Sequence, residues 1–228
     1  MKHIYNQLKE LTIIIPVYNE ERGIINTINE IKKGCPNAKI LVVNDGSTDK
    51  TSIILKKIKN ISVVNHKTNR GYGAALKTGI INAKTKYIAF IDADDTYPPI
   101  YIPVLLNKLI KHNLDCVWAN RFVSGNSMPL IRKIGNKIII LFFLIITGKK
   151  VQDVSSGERV FKKDAFDKID FMSIPNGLDT ISALTKRIVS RGLKYKEVPI
   201  EYHKRVGNSK LKIFRDGYLM MKNILLEK

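Results

Sequence analysis

Three aspartates crowd the segment Phe90-Ile91-Asp92-Ala93-Asp94-Asp95-Thr96-Tyr97. In an extended chain, residues two apart point the same way, so Asp92 and Asp94 converge and repel each other unless a cation lies between them. Mg²⁺ or Mn²⁺ suits that place, because a hard divalent ion takes one or two carboxylates and completes its shell with phosphate oxygens and water. A polar turn with Asx capping accounts for one or two aspartates. It does not account for this triplet directly after a buried apolar run.

Three other loops carry chemistry of a compatible kind. Pro16-Val17-Tyr18-Asn19-Glu20-Glu21 sets an aromatic ring and carboxylates after the apolar run LTIIIPV. Asn44-Asp45-Gly46-Ser47-Thr48-Asp49 follows another such run, with Asp45 placed to accept a hydrogen bond from a base or ribose and hydroxyls suited to cap a helix. Asn69-Arg70-Gly71-Tyr72-Gly73 resembles a phosphate loop but lacks the third glycine of that fingerprint, and it reads as a tight turn at a helix start near a nucleotide.

The elements that must position these loops follow from periodicity. Leu11–Val17, Ile40–Val43, Ile61–Val64 and Tyr87–Ile91 are short β-branched runs without alternation, as expected of parallel strands buried on both faces. Between them, Glu21–Lys33, Asp49–Lys59 and Ala74–Ala83 show apolar residues at helical spacing. A βαβαβαβ order makes an α/β fold with a Rossmann-like, mainly parallel sheet, and such sheets bind ligands at the carboxyl ends of their strands. Pro99–Lys111 predicts a further helix, Asp115–Trp118 a strand, Leu178–Arg191 a helix and Tyr195–Ile200 a strand, followed by the basic tail HKRVGNSKLKIFR. No repeat or linker divides the 228 residues. The expectation is one domain over 1–228.

Composition bounds the partners. Thirty-nine Lys and Arg against 20 Asp and Glu give a formal net charge of +19, which invites nucleic acid, anionic lipid or a phosphorylated substrate. Nucleic acid is the weakest of these, since the acidic motifs line the expected ligand edge and would repel a phosphate backbone. Cys35 and Cys116 have no metal-ligand spacing and read as buried thiols in a reducing compartment. The polar start of the chain has no signal-peptide core, and the longest apolar run, Ile138–Ile146, is far shorter than the roughly 20 residues of a spanning helix. A cytoplasmic location is expected. The stretch Arg121–Lys150 contains no acidic residue, and residues 129–150 read as a helical element lying in a membrane interface.

Taken together, VYNE, VVNDGSTD, the Asn-Arg-Gly-Tyr-Gly turn and DAD resemble the nucleotide-sugar half of family 2 glycosyltransferases with the GT-A fold. Ala119-Asn120-Arg121, Ser156-Gly157-Glu158-Arg159 and Arg205-Val206-Gly207-Asn208-Ser209-Lys210 resemble the dolichol-phosphate mannose synthase branch, in which Phe is usual at the position of Glu158. The resemblance covers residues 11 to about 212 and implies that the single domain over 1–228 is catalytic, with a nucleotide-sugar and metal half at 11–118 and an acceptor half at 119–212. It implies that Pro16, Tyr18, Glu20, Val43, Asp45, Asp92 and Ala93 bind the donor, and that Asp92 and Asp94, with Thr96 as a further candidate, bind the metal. It also implies that Arg121, Arg132, Asn136, Arg205 and Lys210 bind phosphates, with Asp94, Arg121 and Arg205 catalytic. The implied activity is metal-dependent, inverting transfer of a sugar from a nucleotide sugar, GDP-mannose by family default, to dolichyl or another polyprenyl phosphate.

The chemistry of such an acceptor agrees with the basic residues. A polyprenyl phosphate is already an anion near neutral pH, so the enzyme needs cations more than a general base. UDP-glucose or UDP-N-acetylglucosamine as donor is one alternative. Another is a sugar hydroxyl acceptor, with Asp153 as the base. Peripheral membrane contact is expected, with a separate anchoring subunit as a candidate partner. His66 and His112 read as structural, and His203 as a neighbour of the acceptor phosphate. Arg205 and Lys210 sit on a Gly- and Ser-containing loop expected to be a lid that orders when phosphates arrive.

Overall fold

The computed structural model describes residues 6–122, 128–207 and 209–227. The reading made on residues 1–5, the part of the acid-free stretch at 123–127 and Asn208 of the basic motif lie outside them. Seven strands form one sheet: β1 (Leu11–Val17), β2 (Lys39–Asn44), β3 (Ser62–Asn65), β4 (Tyr87–Phe90), β5 (Cys116–Asn120), β6 (Arg159–Lys162) and β7 (Tyr195–Pro199), in the order β3-β2-β1-β4-β6-β5-β7. All seven residues of β1 are buried, because each face of the strand meets a separate apolar layer. Ile13 and Ile15 join Ala89, Val117 and Val160 on one side, and Ile14 joins Phe90, Trp118 and Phe161 on the other, the period-2 alternation of a strand.

The helices α1 (Ile24–Gly34), α2 (Thr51–Lys57), α3 (Tyr72–Asn82) and α4 (Ile102–Lys111) connect the first five strands. Ile24, Thr27, Ile28 and Ile31 of α1 and Leu105, Leu106 and Leu109 of α4 are the buried stripes that helical spacing predicts. These two helices cover the Ile13 face of the sheet, and α3 covers the Ile14 face. On the latter also lie α5 (Leu130–Thr147), the short α6 (Ala165–Lys168), α7 (Thr180–Ser190) and α8 (Ile213–Leu226).

The sheet is mainly parallel, as expected. Three features lie beyond the sequence expectation, the first being β6, which lies antiparallel between β4 and β5. It comes from the later part of the chain and inserts between two strands that precede it in sequence. Burial on both faces fails for β3, an edge strand with exposed or half-buried residues, and likewise for β7 at the other edge. The basic tail continues into α8, whose Met220 and Ile224 enter the core. Because β1, β2, β4 and β5 are mutually parallel or co-directional and β6 runs the other way, the ends of the first four and the start of β6 meet at one edge.

Candidate active site

At that edge a cavity of about 800 Å³ opens, lined at one end by Pro16, Tyr18, Glu20, Asp45, Asp92 and Asp94. Ala93, Arg121, Arg205 and Lys210 also border it, and Arg132 and Asn136 reach it from α5. Most residues named from the sequence are therefore neighbours in space. Val43 is not: it is fully buried in β2, paired with Pro16 and Val64, and its side chain belongs to the core. Nor does His203 line the cavity. Its ring is more than half exposed and 3.9 Å from Glu201.

Asp92 sits just beyond the end of β4, with Oδ1 accepting a hydrogen bond from the Tyr72 hydroxyl at 2.9 Å. Burial, reinforced by the charge of Asp94, pushes Asp92 up to about 6, against the pull of the Tyr72 bond, Arg205 and Arg121. Gly157 packs on its other oxygen, where a Cβ would come within 2.7 Å of Oδ2. Asp94 Oδ1 accepts from the Thr96 amide at 3.1 Å and the Thr96 hydroxyl at 2.6 Å. The buried Thr96 hydroxyl thus donates to a candidate ligand rather than facing the cavity.

Arg205 bridges Glu20 and Asp94 with its two terminal nitrogens. The backbone follows: the His203 amide donates to the Thr96 carbonyl and the Val206 amide to that of Asp94, both at 3.0 Å, and Lys210 donates to the Asn19 carbonyl at 3.0 Å. Arg205, Val206 and Lys210 thus lie against the site, where Glu20 and Asp94 supply the anions for the guanidinium. Burial pushes Glu20 up to about 7 in spite of Arg205 and Lys210.

Asp45 has a different surrounding from the one expected. Its Oδ1 takes His66 Nδ1 at 2.6 Å and the Arg70 amide at 2.9 Å, and its Oδ2 takes the Gly71 amide at 2.8 Å. A carboxylate offers about four acceptor sites, so one is left for a ligand. His66 is structural, bridging Asp45 and Thr78. Asp153 is fully buried and grips Arg121 through a two-point pair at 2.7 and 2.8 Å, while accepting the amides of Arg121 and Ser155. That engagement occupies both carboxylate oxygens, and Asp153 is not among the residues that line the cavity. Arg121 itself lines the cavity, with its guanidinium over the rings of Tyr97 and Tyr202. Both cysteines are buried, free and pushed up by burial, Cys35 to about 12, as expected of inert thiols.

The donor set fits a divalent cation. Asp92 and Asp94 crowd each other, and a guanidinium already serves as counter-ion to Asp94. Among the described residues no group of three or more His, Cys, Asp or Glu could hold a metal by itself. Substrate oxygens would have to complete the shell, which is the habit of Mg²⁺ and Mn²⁺ at phosphate sites.

Of the far wall of the cavity, the α5 side was legible in the sequence but α8 was not. Ile131, Ile134 and Ile138 of α5 face Phe214, Tyr218 and Met221 of α8, so one end is charged and the other apolar. Of the apolar residues of α5 only Ile139 and Phe143 are buried, and Leu130, Ile131, Ile134, Ile138, Leu141, Leu144 and Ile145 remain exposed. This helix is not an ordinary core helix. No helix among the described residues is long and apolar enough to cross a membrane.

Comparison with known proteins bears on the family and the fold of the chain. The family model described as "Glycosyl transferase family 2" matches residues 12–170. The low-salt glycan biosynthesis hexosyltransferase Agl6 of Haloferax volcanii is 32% identical over 223 residues, 95% of this chain but 53% of that protein, so the chain spans about half its length. The dolichyl-phosphate hexose transferase of the same organism is 30% identical over 217 residues, covering 95% of this chain and 92% of that protein. Among solved structures, glucosyl-3-phosphoglycerate synthase from Mycobacterium tuberculosis, crystallised with Mn²⁺, UDP and phosphoglyceric acid, superposes with a TM-score of 0.77 at 18% identity, over 97% of this chain and 81% of that one. The two share the GT-A fold.

Proposed function

The chain belongs to glycosyl transferase family 2, and we propose that it moves one sugar, with inversion, from a nucleoside diphosphate donor to a polyprenyl phosphate at a membrane surface. The observation that carries this reading is the two-ended cavity. Its charged end has the groups a sugar diphosphate needs, and its apolar end, between α5 and α8, suits a hydrocarbon chain attached to a phosphate. The relative named dolichyl-phosphate hexose transferase supports the same acceptor class.

In this reading Tyr18, Asp45 and Glu20 hold the nucleoside, and Asp92 and Asp94 hold a Mg²⁺ or Mn²⁺ ion. When bound, that ion neutralises charge on the departing diphosphate. Arg205 leaves Glu20 and Asp94 for the phosphates once the donor arrives, and Lys210 and Arg132 add charge at the acceptor side. Arg121, clamped by Asp153, keeps a fixed positive charge beside the reacting groups. The acceptor oxygen attacks the anomeric carbon opposite the diphosphate, so an α-linked donor yields a β-linked lipid sugar. No base is required, because the phosphate is ionised already. Catalysis is then positioning and charge stabilisation. We read the chain as one catalytic unit that touches the membrane peripherally from its cytoplasmic face.

Incubation with labelled nucleotide sugars and a polyprenyl phosphate should carry label into the organic phase only when Mg²⁺ or Mn²⁺ is present. Asp94→Ala should lower turnover at least 100-fold, an effect of the size seen when one transition-state contact is lost. Thermal shifts with GDP and UDP would identify the base, since a ligand at 100 times its Kd stabilises by about 2.7 kcal/mol. Glycosylation of a soluble sugar with no lipid product would refute the acceptor.

A further inference from the structure

The Asn69-Arg70-Gly71-Tyr72-Gly73 turn has the composition of a phosphate loop, but its contacts point to another task. Gly71 has φ +100°, and a Cβ there would lie 2.4 Å from the Asn176 carbonyl oxygen. The Gly73 amide donates to that oxygen at 2.7 Å, and a Cβ on Gly73 would fall 2.1 Å from Thr180 Oγ1. Lys77, one turn further along α3, donates to the Ile174 carbonyl and, at 2.7 Å, to Asn176 Oδ1. From the opposite side, Asp45 holds the amides of Arg70 and Gly71. The start of α3 is thus clamped between the β2 loop and the segment leading into α7, and only glycine permits so close an approach.

The result of the clamp is the aim of one hydroxyl. Tyr72, the first residue of α3, carries its ring against the core cluster and its hydroxyl to Asp92 Oδ1. With Gly157 packed on Oδ2, the carboxylate is confined from both sides. We propose that Tyr72 is a positioning residue for Asp92: its hydroxyl, fixed by the glycine turn, holds that carboxylate in the orientation that receives the divalent ion. This rests on the metal role of Asp92 given above. Partners of this kind behind a metal ligand typically change metal affinity by about 10- to 100-fold when removed.

Tyr72→Phe keeps the ring that packs and deletes only the hydroxyl. The affinity for Mn²⁺ should be measured by calorimetry on the full chain with saturating UDP or GDP and no acceptor, beside Asp92→Asn and the unaltered protein. Tyr72→Phe is expected to weaken Mn²⁺ about 10-fold or more, while metal-free nucleotide affinity stays as it was. With acceptor added, its loss of turnover should be partly recovered by excess Mn²⁺. If Asp92→Asn weakens Mn²⁺ and Tyr72→Phe does not, the positioning role is wrong and the metal role stands. If neither changes Mn²⁺ affinity, both are wrong. An equal fall in metal-free nucleotide binding would make Tyr72 a packing residue and overturn the proposal.

Discussion

Glu158 is fully buried at the entry to β6, and neither of its carboxylate oxygens has a hydrogen-bond partner among the described residues. Burial, with the nearby charge of Asp92, holds its carboxyl well above the usual range. A carboxyl whose folded pKa exceeds its unfolded pKa contributes stability that is whole below the unfolded value, about 4.5, and is lost as pH rises toward the folded one. Glu158→Gln, the isostere of the protonated acid, should therefore match the parent near pH 4.5 and exceed it progressively at higher pH. The gain is up to about 1.4 kcal/mol per unit until the folded pKa is reached. Paired denaturant midpoints at pH 5 and pH 8 give the comparison, and a difference that stays the same at both would mean the carboxyl finds a counter-charge in the fold. This position was visible in the sequence only as a departure from the resembled Ser-Gly-Phe-Arg. That the acid would be orphaned rather than paired depends on long-range packing. Much of the charged end of the site was legible, because Asp92, Asp94, Tyr18 and Asp45 each follow a strand whose apolar run is local. Arg121 with Asp153, and Arg205 with Glu20, were not, since residues 32 and 185 positions apart leave no periodic trace.

At the scale of elements the same division holds. β1, β2, β4, α1 and α4 announce themselves because each buries a stripe that its own spacing defines. β6 does not: its four residues begin with Arg159, a buried arginine over the Trp118 ring, and its place between β4 and β5 is decided by strands about 40 to 70 residues earlier. α8 was obscured by the basic residues around its start. Its Phe214 is 90% exposed, next to Tyr218 and across the cavity mouth from α5. Two packed helices with outward apolar residues and flanking lysines have the form of an interfacial surface. Phe214→Asp should lower the fraction of protein that sediments with lipid vesicles several-fold. Its stability should remain within about 0.5 kcal/mol, as for other exposed sites. Undiminished sedimentation by both Phe214→Asp and Ile145→Asp would show that these helices do not meet the lipid.

For the whole molecule, the excess of 19 positive charges has to be reconciled with a site whose floor is acidic. Lys133, Lys137, Lys149 and Lys150 are exposed on or just after α5, and Lys212, Arg215 and Lys222 on or beside α8. These cations lie on or beside the two helices that line the apolar end of the cavity, so long-range attraction and apolar contact would act together at a lipid surface. Basic residues near an anionic membrane are worth about 1 kcal/mol each, and that attraction decays within a Debye length. Apolar insertion is not screened in this way. Binding to vesicles of anionic phospholipid should therefore weaken by orders of magnitude between low and high salt and still leave a residual that Phe214→Asp removes. Duplex DNA should compete at low salt only, because nucleic-acid binding would rest on counterion release alone. Vesicle binding insensitive to salt, or a high-salt residual that persists in Phe214→Asp, would separate the charge from the apolar face and leave the +19 without a role at the lipid surface.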